Sequence, residues 1–266
     1  MNTCLNGLSV INIELTSRCN KNCWMCGRRK IDREHPELSI QYGDMSFETV
    51  EQIANKLPSN LLLQFHSNGE PLLYPELGNA LTRFKNQIRS FDTNGKLLLE
   101  KSAEIIDNLE TLTISVIQAD PEADEQYEIV KKFIEIKGNR KPFMVYRLLG
   151  IVDKQTRWYE LPGLVATRML HNPMGSFDYS KPVTIPEHGI CLDLLSHLAI
   201  DRFGNCFPCV RFNPNRLQLL GNIKFMSLEE IWNSPKRLKI LEKHIAGLRN
   251  DIDLCSTCDY YGIPRG

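Results

Sequence analysis

The feature that most constrains this fold is an alternation, over roughly the first 150 residues, of short β-branched runs with helix-length stretches. Residues 8–15 (LSVINIEL) read as a strand, and Ser46 then caps a helix with Phe47, Val50, Ile53 and Leu57 on one face. Residues 61–65 form a short buried strand, Leu77, Ala80, Leu81 and Phe84 a helical stripe, and residues 88–91 a third strand. A helix through 98–108, a strand at Leu112, Ile114 and Val116, a stripe at Ile129, Phe133 and Ile136, and a strand over 142–149 continue the series. Repeated βα units imply parallel pairing with right-handed crossovers, hence an α/β fold, either a doubly wound sheet or a full or partial (β/α) barrel. In both, active sites gather at the carboxyl ends of the strands.

Three of the nine cysteines, Cys19, Cys23 and Cys26, follow the first strand directly, in SRCNKNCWMCGRRK. Balanced charge, 32 Lys+Arg against 32 Asp+Glu, makes no electrostatic case for a nucleic-acid partner. The runs Arg28-Arg29-Lys30 and Lys236-Arg237 read as solvated surface. No apolar run approaches the ~18–20 residues of a membrane span, and the first residues lack the pattern of a signal peptide. The expectation is a cytoplasmic protein without a membrane partner, whose cysteines are metal ligands or reactive thiols, not disulfides. Structural zinc wants four ligands, and three thiolates leave a coordination position open for chemistry.

The C-x3-C-x2-C spacing after a first strand resembles the radical S-adenosylmethionine (radical SAM) superfamily. That resemblance implies a partial (β/α)6 TIM-like barrel and a [4Fe-4S] cluster on Cys19, Cys23 and Cys26 whose open iron takes SAM. Asn68-Gly69-Glu70-Pro71, after the second strand, is similar to the superfamily's Gly-Glu-Pro motif, which holds the SAM amino group. Ser115 is then the candidate for the ribose hydroxyls, Arg147 for the SAM carboxylate, and Met25 covers adenine in place of the usual aromatic residue. Val116-Ile117-Gln118 stands where an Asp-Gly often follows the serine. His66 reads as a structural polar neighbour of the motif, Trp24 as packing by the cluster, and Trp158 and Trp232 as core or surface anchors.

From about residue 171 the character changes to a Pro- and Gly-bearing connector, and a boundary is placed near 185, giving a barrel over 1–185 and a cysteine-rich extension over 186–266. The extension is expected to hold a strand over 194–201, a turn at 203–205 and a helix over 227–241 capped by Ser227. Cys206-x2-Cys209 and Cys255-x2-Cys258 alone spell a zinc ribbon. Cys191, Gly204 and Cys209, however, are spaced as in the SPASM and twitch extensions of radical SAM enzymes. That resemblance assigns Cys191, Cys209, Cys255 and Cys258 to one auxiliary [4Fe-4S] cluster, as in the shorter twitch form. Cys206 is left over, as a buried thiol or as a hydrogen-atom donor; Cys4 reads as inert.

The function implied is reductive cleavage of SAM to a 5′-deoxyadenosyl radical, which takes a hydrogen atom from the substrate. The required partner is a one-electron donor such as flavodoxin or ferredoxin. Only eighteen residues precede Cys19, which favours a small carbohydrate-like metabolite, oxidised (dehydrogenated) or epimerised. A peptide-modifying enzyme forming a crosslink or epimer is the alternative, and a non-catalytic zinc or iron-sulfur scaffold is the rival from another class. Glu14, Arg147 and Arg168 stand near strand ends as charged candidates for substrate contact or acid-base work.

Overall fold

A computed structural model describes residues 5–39, 41–117, 119–150, 155–168, 170, 190–210, 213–256 and 258. The expected boundary near residue 185, Cys4 and Gln118 lie outside the described residues.

Nine strands form one sheet: β1 (Val10–Ile13), β2 (Leu62–Gln64), β3 (Ile88–Thr93), β4 (Thr111–Val116), β5 (Phe143–Leu149), β6 (Leu164–Arg168), β7 (His197–Ile200), β8 (Asn205–Phe207) and β9 (Gly221–Asn222). Their order is β6-β5-β4-β3-β2-β1-β7-β8-β9, and every pairing from β6 through β7 is parallel. The helices are α1 (Arg28–Glu34), α2 (Pro36–Ser39), α3 (Phe47–Ala54), α4 (Leu77–Arg83), α5 (Ser102–Ile105), α6 (Ala123–Lys137), α7 (Leu192–Ser196), α8 (Leu228–Trp232), α9 (Pro235–Ile245) and α10 (Asp253–Ser256). This is the parallel α/β architecture that the βα alternation predicts; the recorded pairings do not close it into a ring.

The period-two pattern sorts the strands into two unlike faces. Ile11, Ile13, Leu63, Phe65, Phe91, Leu112, Ile114 and Tyr146 are fully buried and pack with Val50, Ile53, Leu77, Leu81, Val130 and Phe133 of the helices. The other face mixes apolar residues such as Val10, Leu62 and Val145 with a run of polar ones. Asn12 stands beside Gln64, Asp92 beside Thr113, and Ser115 beside Arg147 in the register. A partly polar sheet face of this kind is where a partial barrel leaves room for ligands.

Several local readings change in the structure. Residues 98–108 are mostly turns: Leu98 is buried, its amide donating to Gly95 O at 3.2 Å, and only Ser102–Ile105 is helical before Asp107 takes a positive φ of 65°. The expected strand at 194–201 begins as α7, because Cys191 starts a short helix before His197 turns extended. The single helix expected at 227–241 is two. Ser227 and Glu230 form a reciprocal capping box, then Ser234 recaps the chain with Pro235 at the first helical position. Arg28 and Arg237 are buried rather than solvated, and each donates to backbone carbonyls: Arg28 to Ser17 and Asn68, Arg237 to Trp232 and Leu194. Arg237 also stacks on Trp232, 3.3 Å from the ring centroid.

The extension continues the main sheet. β7 pairs in parallel with β1 in the register Asn12↔Ala199, and β8 and β9 follow antiparallel. The first strand of the chain therefore carries the cysteine loop at its end and the extension along its side.

Candidate active site

Three loops converge at the carboxyl ends of β1, β2 and β3. The loop after β1 carries Cys19, Cys23 and Cys26, and Arg28 fixes it by donating to the carbonyls of Ser17 and Asn68 while stacking on Tyr42 at 3.8 Å. The Glu70 amide donates to Arg18 O at 2.7 Å, and Asn94 Nδ2 donates to Asn20 Oδ1 at 2.8 Å. Gly69 permits this closeness: a Cβ there would lie 2.0 Å from Thr16 O and 2.9 Å from Arg18 O.

Glu70 is buried and spends its carboxylate on the protein. Its Oε1 accepts from the Leu72 amide at 3.1 Å and the Thr93 hydroxyl at 2.6 Å, and its Oε2 accepts from the Asn94 amide at 2.8 Å. Burial nonetheless pushes its pKa up to about 7. The first role of this side chain is thus to lock the Asn68–Pro71 turn onto the end of β3.

Burial, with Cys26 and Cys19 beside it, pushes the Cys23 thiol up to about 11 against the pull of Lys21, and burial raises Cys19 as well. The thiols are therefore electrostatic neighbours, yet among the described residues no three His, Cys, Asp or Glu side chains converge as the ligands of one ion do. Three coupled, half-buried thiols without a fourth partner suit a cluster that spreads its cysteines over different irons and keeps one iron open. Met25 is half-buried in the same loop, while Trp24 is largely exposed.

On the polar face, Arg147 is paired with Asp92 of β3, and His66 Nε2 lies 3.8 Å from the same carboxylate oxygen. Burial alone would raise the pKa of Asp92, but His66 and Arg147 outweigh it and hold the group below its ordinary value. Ser115 is the register neighbour of Arg147, and its carbonyl accepts from Gln126 Nε2 at 3.0 Å. Arg168 ends β6 and adds to the positive field around Asp92.

A second thiol group forms where α7 meets α10. Burial, with Cys258 and Cys191 next to it, pushes Cys255 up to about 12. Arg249 donates from one nitrogen to the carbonyls of Cys255 and Cys258, at 2.8 and 3.1 Å, fixing the last turn of the pair. Cys209 lies beside α7, its sulfur 4.0 Å from the Asp193 carboxylate. Cys206 faces the other way. It is wholly buried among core residues, its thiol directed at Gly204 O at 3.7 Å, and burial pushes it up to about 12.

A cavity of about 140 Å³ opens where the motif turn meets the extension, and Cys209 is the one described cysteine that lines it. Asn12 of β1, Glu14 just after it, Asn68 from the motif turn, and Asp201, Arg202 and Cys209 from the extension line it; Cys206 is not among its lining residues. Glu14 is one of the charged strand-end candidates of the sequence. Asn12, Asp201 and Arg202 carry no such signal in the sequence, because only the β1–β7 pairing brings them together.

Comparison with known proteins bears on both halves. Residues 191–259 match the SPASM iron-sulfur cluster-binding domain, a span that runs from Cys191 past Cys258. The chain is 28% identical over 266 residues to the S-adenosyl-L-methionine-dependent 2-deoxy-scyllo-inosamine dehydrogenase of Niallia circulans, covering 96% of this chain and 94% of that one. It is 27% identical over 329 residues to the tungsten-containing aldehyde ferredoxin oxidoreductase cofactor-modifying protein of Pyrococcus furiosus, covering 95% and 89%. Its fold is that of BtrN in complex with AdoMet and 2-DOIA, with a TM-score of 0.58 at 20% identity, over 95% of this chain and 93% of BtrN. Streptococcus suis SuiB bound to S-adenosylmethionine superposes with a TM-score of 0.61 at 14% identity, over 98% of this chain and 73% of SuiB.

Proposed function

The chain belongs to the radical SAM enzymes that carry a C-terminal SPASM domain, and on that premise we propose that it dehydrogenates a small carbohydrate-like substrate held between its two iron-sulfur sites. Its cofactors are SAM and [4Fe-4S] clusters. Cys19, Cys23 and Cys26 would hold the first cluster, with SAM against Asn68, Gly69, Glu70 and Pro71; Cys191, Cys209, Cys255 and Cys258 would hold the auxiliary one. When bound, these groups supply hydrogen-atom abstraction and a route for the second electron.

The observation that carries this reading is the cavity, walled on one side by β1 and the motif turn and on the other by the extension with Cys209. The protein's part is to place and enclose. Arg28 and Glu70 hold the cysteine loop against the motif turn, and Asn12, Glu14 and Asn68 present polar atoms to the space between. A polar-lined cavity of this kind is in keeping with the aminocyclitol named for the Niallia circulans relative. Cys206 packs in the core, which supports dehydrogenation over an epimerisation that needs a thiol beside the substrate.

The test is anaerobic reconstitution with iron and sulfide, reduction with dithionite, and incubation with SAM and a panel of cyclitols and amino sugars. The expected result is 5′-deoxyadenosine together with a product lighter by the two hydrogens of an alcohol oxidation. Deoxyadenosine with a product of unchanged mass would replace this reading with epimerisation. A loaded, reduced enzyme that forms no deoxyadenosine would overturn it.

A further inference from the structure

Asn12 is 2% exposed, and its Nδ2 donates to Gln64 Oε1 at 3.0 Å, which leaves Oδ1 buried without a partner on a side chain that lines the cavity. An orphan acceptor at this depth is rare and costly, and the usual reason for keeping one is a ligand that donates to it. Two residues along the extended chain, Glu14 is on the same face and is also buried. The contacts it accepts are long: Asn68 Nδ2 reaches Oε1 at 3.4 Å and the Arg202 amide reaches Oε2 at 3.4 Å, with the Asn68 backbone amide also beside it. Both leave acceptor capacity unused.

The charge around Glu14 is also incomplete. The Asp201 carboxylate repels it, and Asp201 is itself held by the turn it caps, accepting from the Phe203 and Asn205 amides at 2.9 Å each. The nearest guanidinium is engaged elsewhere, since Arg202 donates to Gln41 O and lies over the Phe203 ring at 3.9 Å. Among the described residues no Lys, Arg or His forms an ion pair with Glu14 or Asp201. A buried carboxylate beside a second carboxylate calls for a cation, and an adjacent neutral acceptor calls for a hydroxyl.

We propose that Asn12 and Glu14 form the acceptor side of the substrate subsite and take, from neighbouring carbons of a small amine-bearing polyol ring, a hydroxyl and an ammonium group. This rests on the reading of the cavity as the substrate site and narrows the substrate class to aminocyclitols or amino sugars. Glu14 pairs with the ammonium, Asn12 Oδ1 accepts the hydroxyl, and both groups anchor the ring from the β1 side of the cavity.

The test is calorimetric titration of the anaerobic, cluster-loaded, SAM-bound protein with scyllo-inosamine and scyllo-inositol, which differ by one amine for one hydroxyl. The wild type should bind the amine more tightly by about tenfold or more, the contribution of one charge-assisted contact. Glu14→Gln should bring the two affinities together, Asn12→Leu should weaken both, and Asn12→Asp, which keeps an acceptor, should retain the amine. The ratio of two probes on one protein is not inverted by partial misfolding, and iron content is measured on each variant. Equal affinities in the wild type, or a preference that survives Glu14→Gln, would overturn the proposal. Neither probe binding to an enzyme that still forms deoxyadenosine would overturn the subsite alone, whereas absence of deoxyadenosine would remove the functional reading and the subsite with it.

Discussion

The Thr93 hydroxyl donates to the buried Glu70 carboxylate at 2.6 Å and accepts from the Gly95 amide at 3.0 Å, so one side chain closes the ends of β2 and β3 together. Thr93→Val keeps the shape and removes both bonds. It leaves a buried acceptor and a buried amide short of a partner, at a cost of roughly 1–3 kcal/mol. The expected outcome is a thermal midpoint lower by several degrees and weaker SAM binding, with iron content unchanged. Calorimetry and SAM titration check it; undiminished SAM affinity would separate this contact from the SAM site.

Gly69 tests whether the closeness of two loops is what holds the first cluster. In Gly69→Ala the new methyl meets backbone atoms, Thr16 O at 2.0 Å first, so the β1 and β2 loops must part. Overpacking against backbone typically costs about 1–3 kcal/mol. Iron per chain should fall by about one cluster, while the Cys191/Cys255/Cys258 region, far along the chain and on other elements, keeps its own. Iron assay with Mössbauer spectroscopy distinguishes the two populations.

How much of this was legible in the sequence follows from how local each feature is. The cysteine triplet, the Asn68–Pro71 turn and the Ser46 and Ser227 caps are written within a few residues each, and the family resemblance was readable for that reason. Arg28 and Arg237 were misread because a charged run looks solvated until the carbonyls that receive it are known, and those lie up to 43 residues away, as with Arg237 and Leu194. Asn12 was invisible because its role depends on β7 pairing with β1 across most of the chain. The helix expected over 98–108 starts too early, because Leu97, Leu98 and Leu99 are apolar without a helical period and burial of Leu98 under the Gly95 turn decides the conformation.

Arg249 offers a handle on the auxiliary site that leaves all its cysteines in place. Its guanidinium donates to the carbonyls of Cys255 and Cys258. Arg249→Met retains much of the bulk and none of the donors, freeing the last turn that sets the two thiols. Product formation should then fall more than deoxyadenosine formation, measured in the same reaction. Equal losses of both would mean that the C-terminal site does not act after hydrogen abstraction.

His244 gives a pH-dependent stability with a definite sign. It is 2% exposed, and burial, reinforced by Arg249, lowers its pKa below the ordinary 6.5. The folded chain keeps the ring neutral while the unfolded chain takes up a proton, so stability is full above about pH 6.5 and is lost as the pH falls toward the depressed value. Urea midpoints at pH 7.5 and 5.5 should drop for the wild type and drop less for His244→Gln. Parallel drops would place the acid sensitivity in another group.

The Arg147–Asp92 pair bears on how SAM is held, because the sequence reading gives Arg147 to the SAM carboxylate and the structure pairs it with Asp92. Asp92→Asn removes the charge and leaves a guanidinium, 21% exposed, on the polar face without its partner. Breaking such a pair from one side costs more than removing both ends, toward the low end of roughly 3–5 kcal/mol for this partly exposed site. Asp92→Asn/Arg147→Met should therefore be more stable than Asp92→Asn alone, with a coupling of roughly 0.5–3 kcal/mol in a double-mutant cycle. SAM affinity then separates the two roles of Arg147. If its duty ends at Asp92, the double variant recovers SAM binding along with stability. The proposed carboxylate contact requires the opposite, a double variant that folds well and still binds SAM weakly, and that is the expected result.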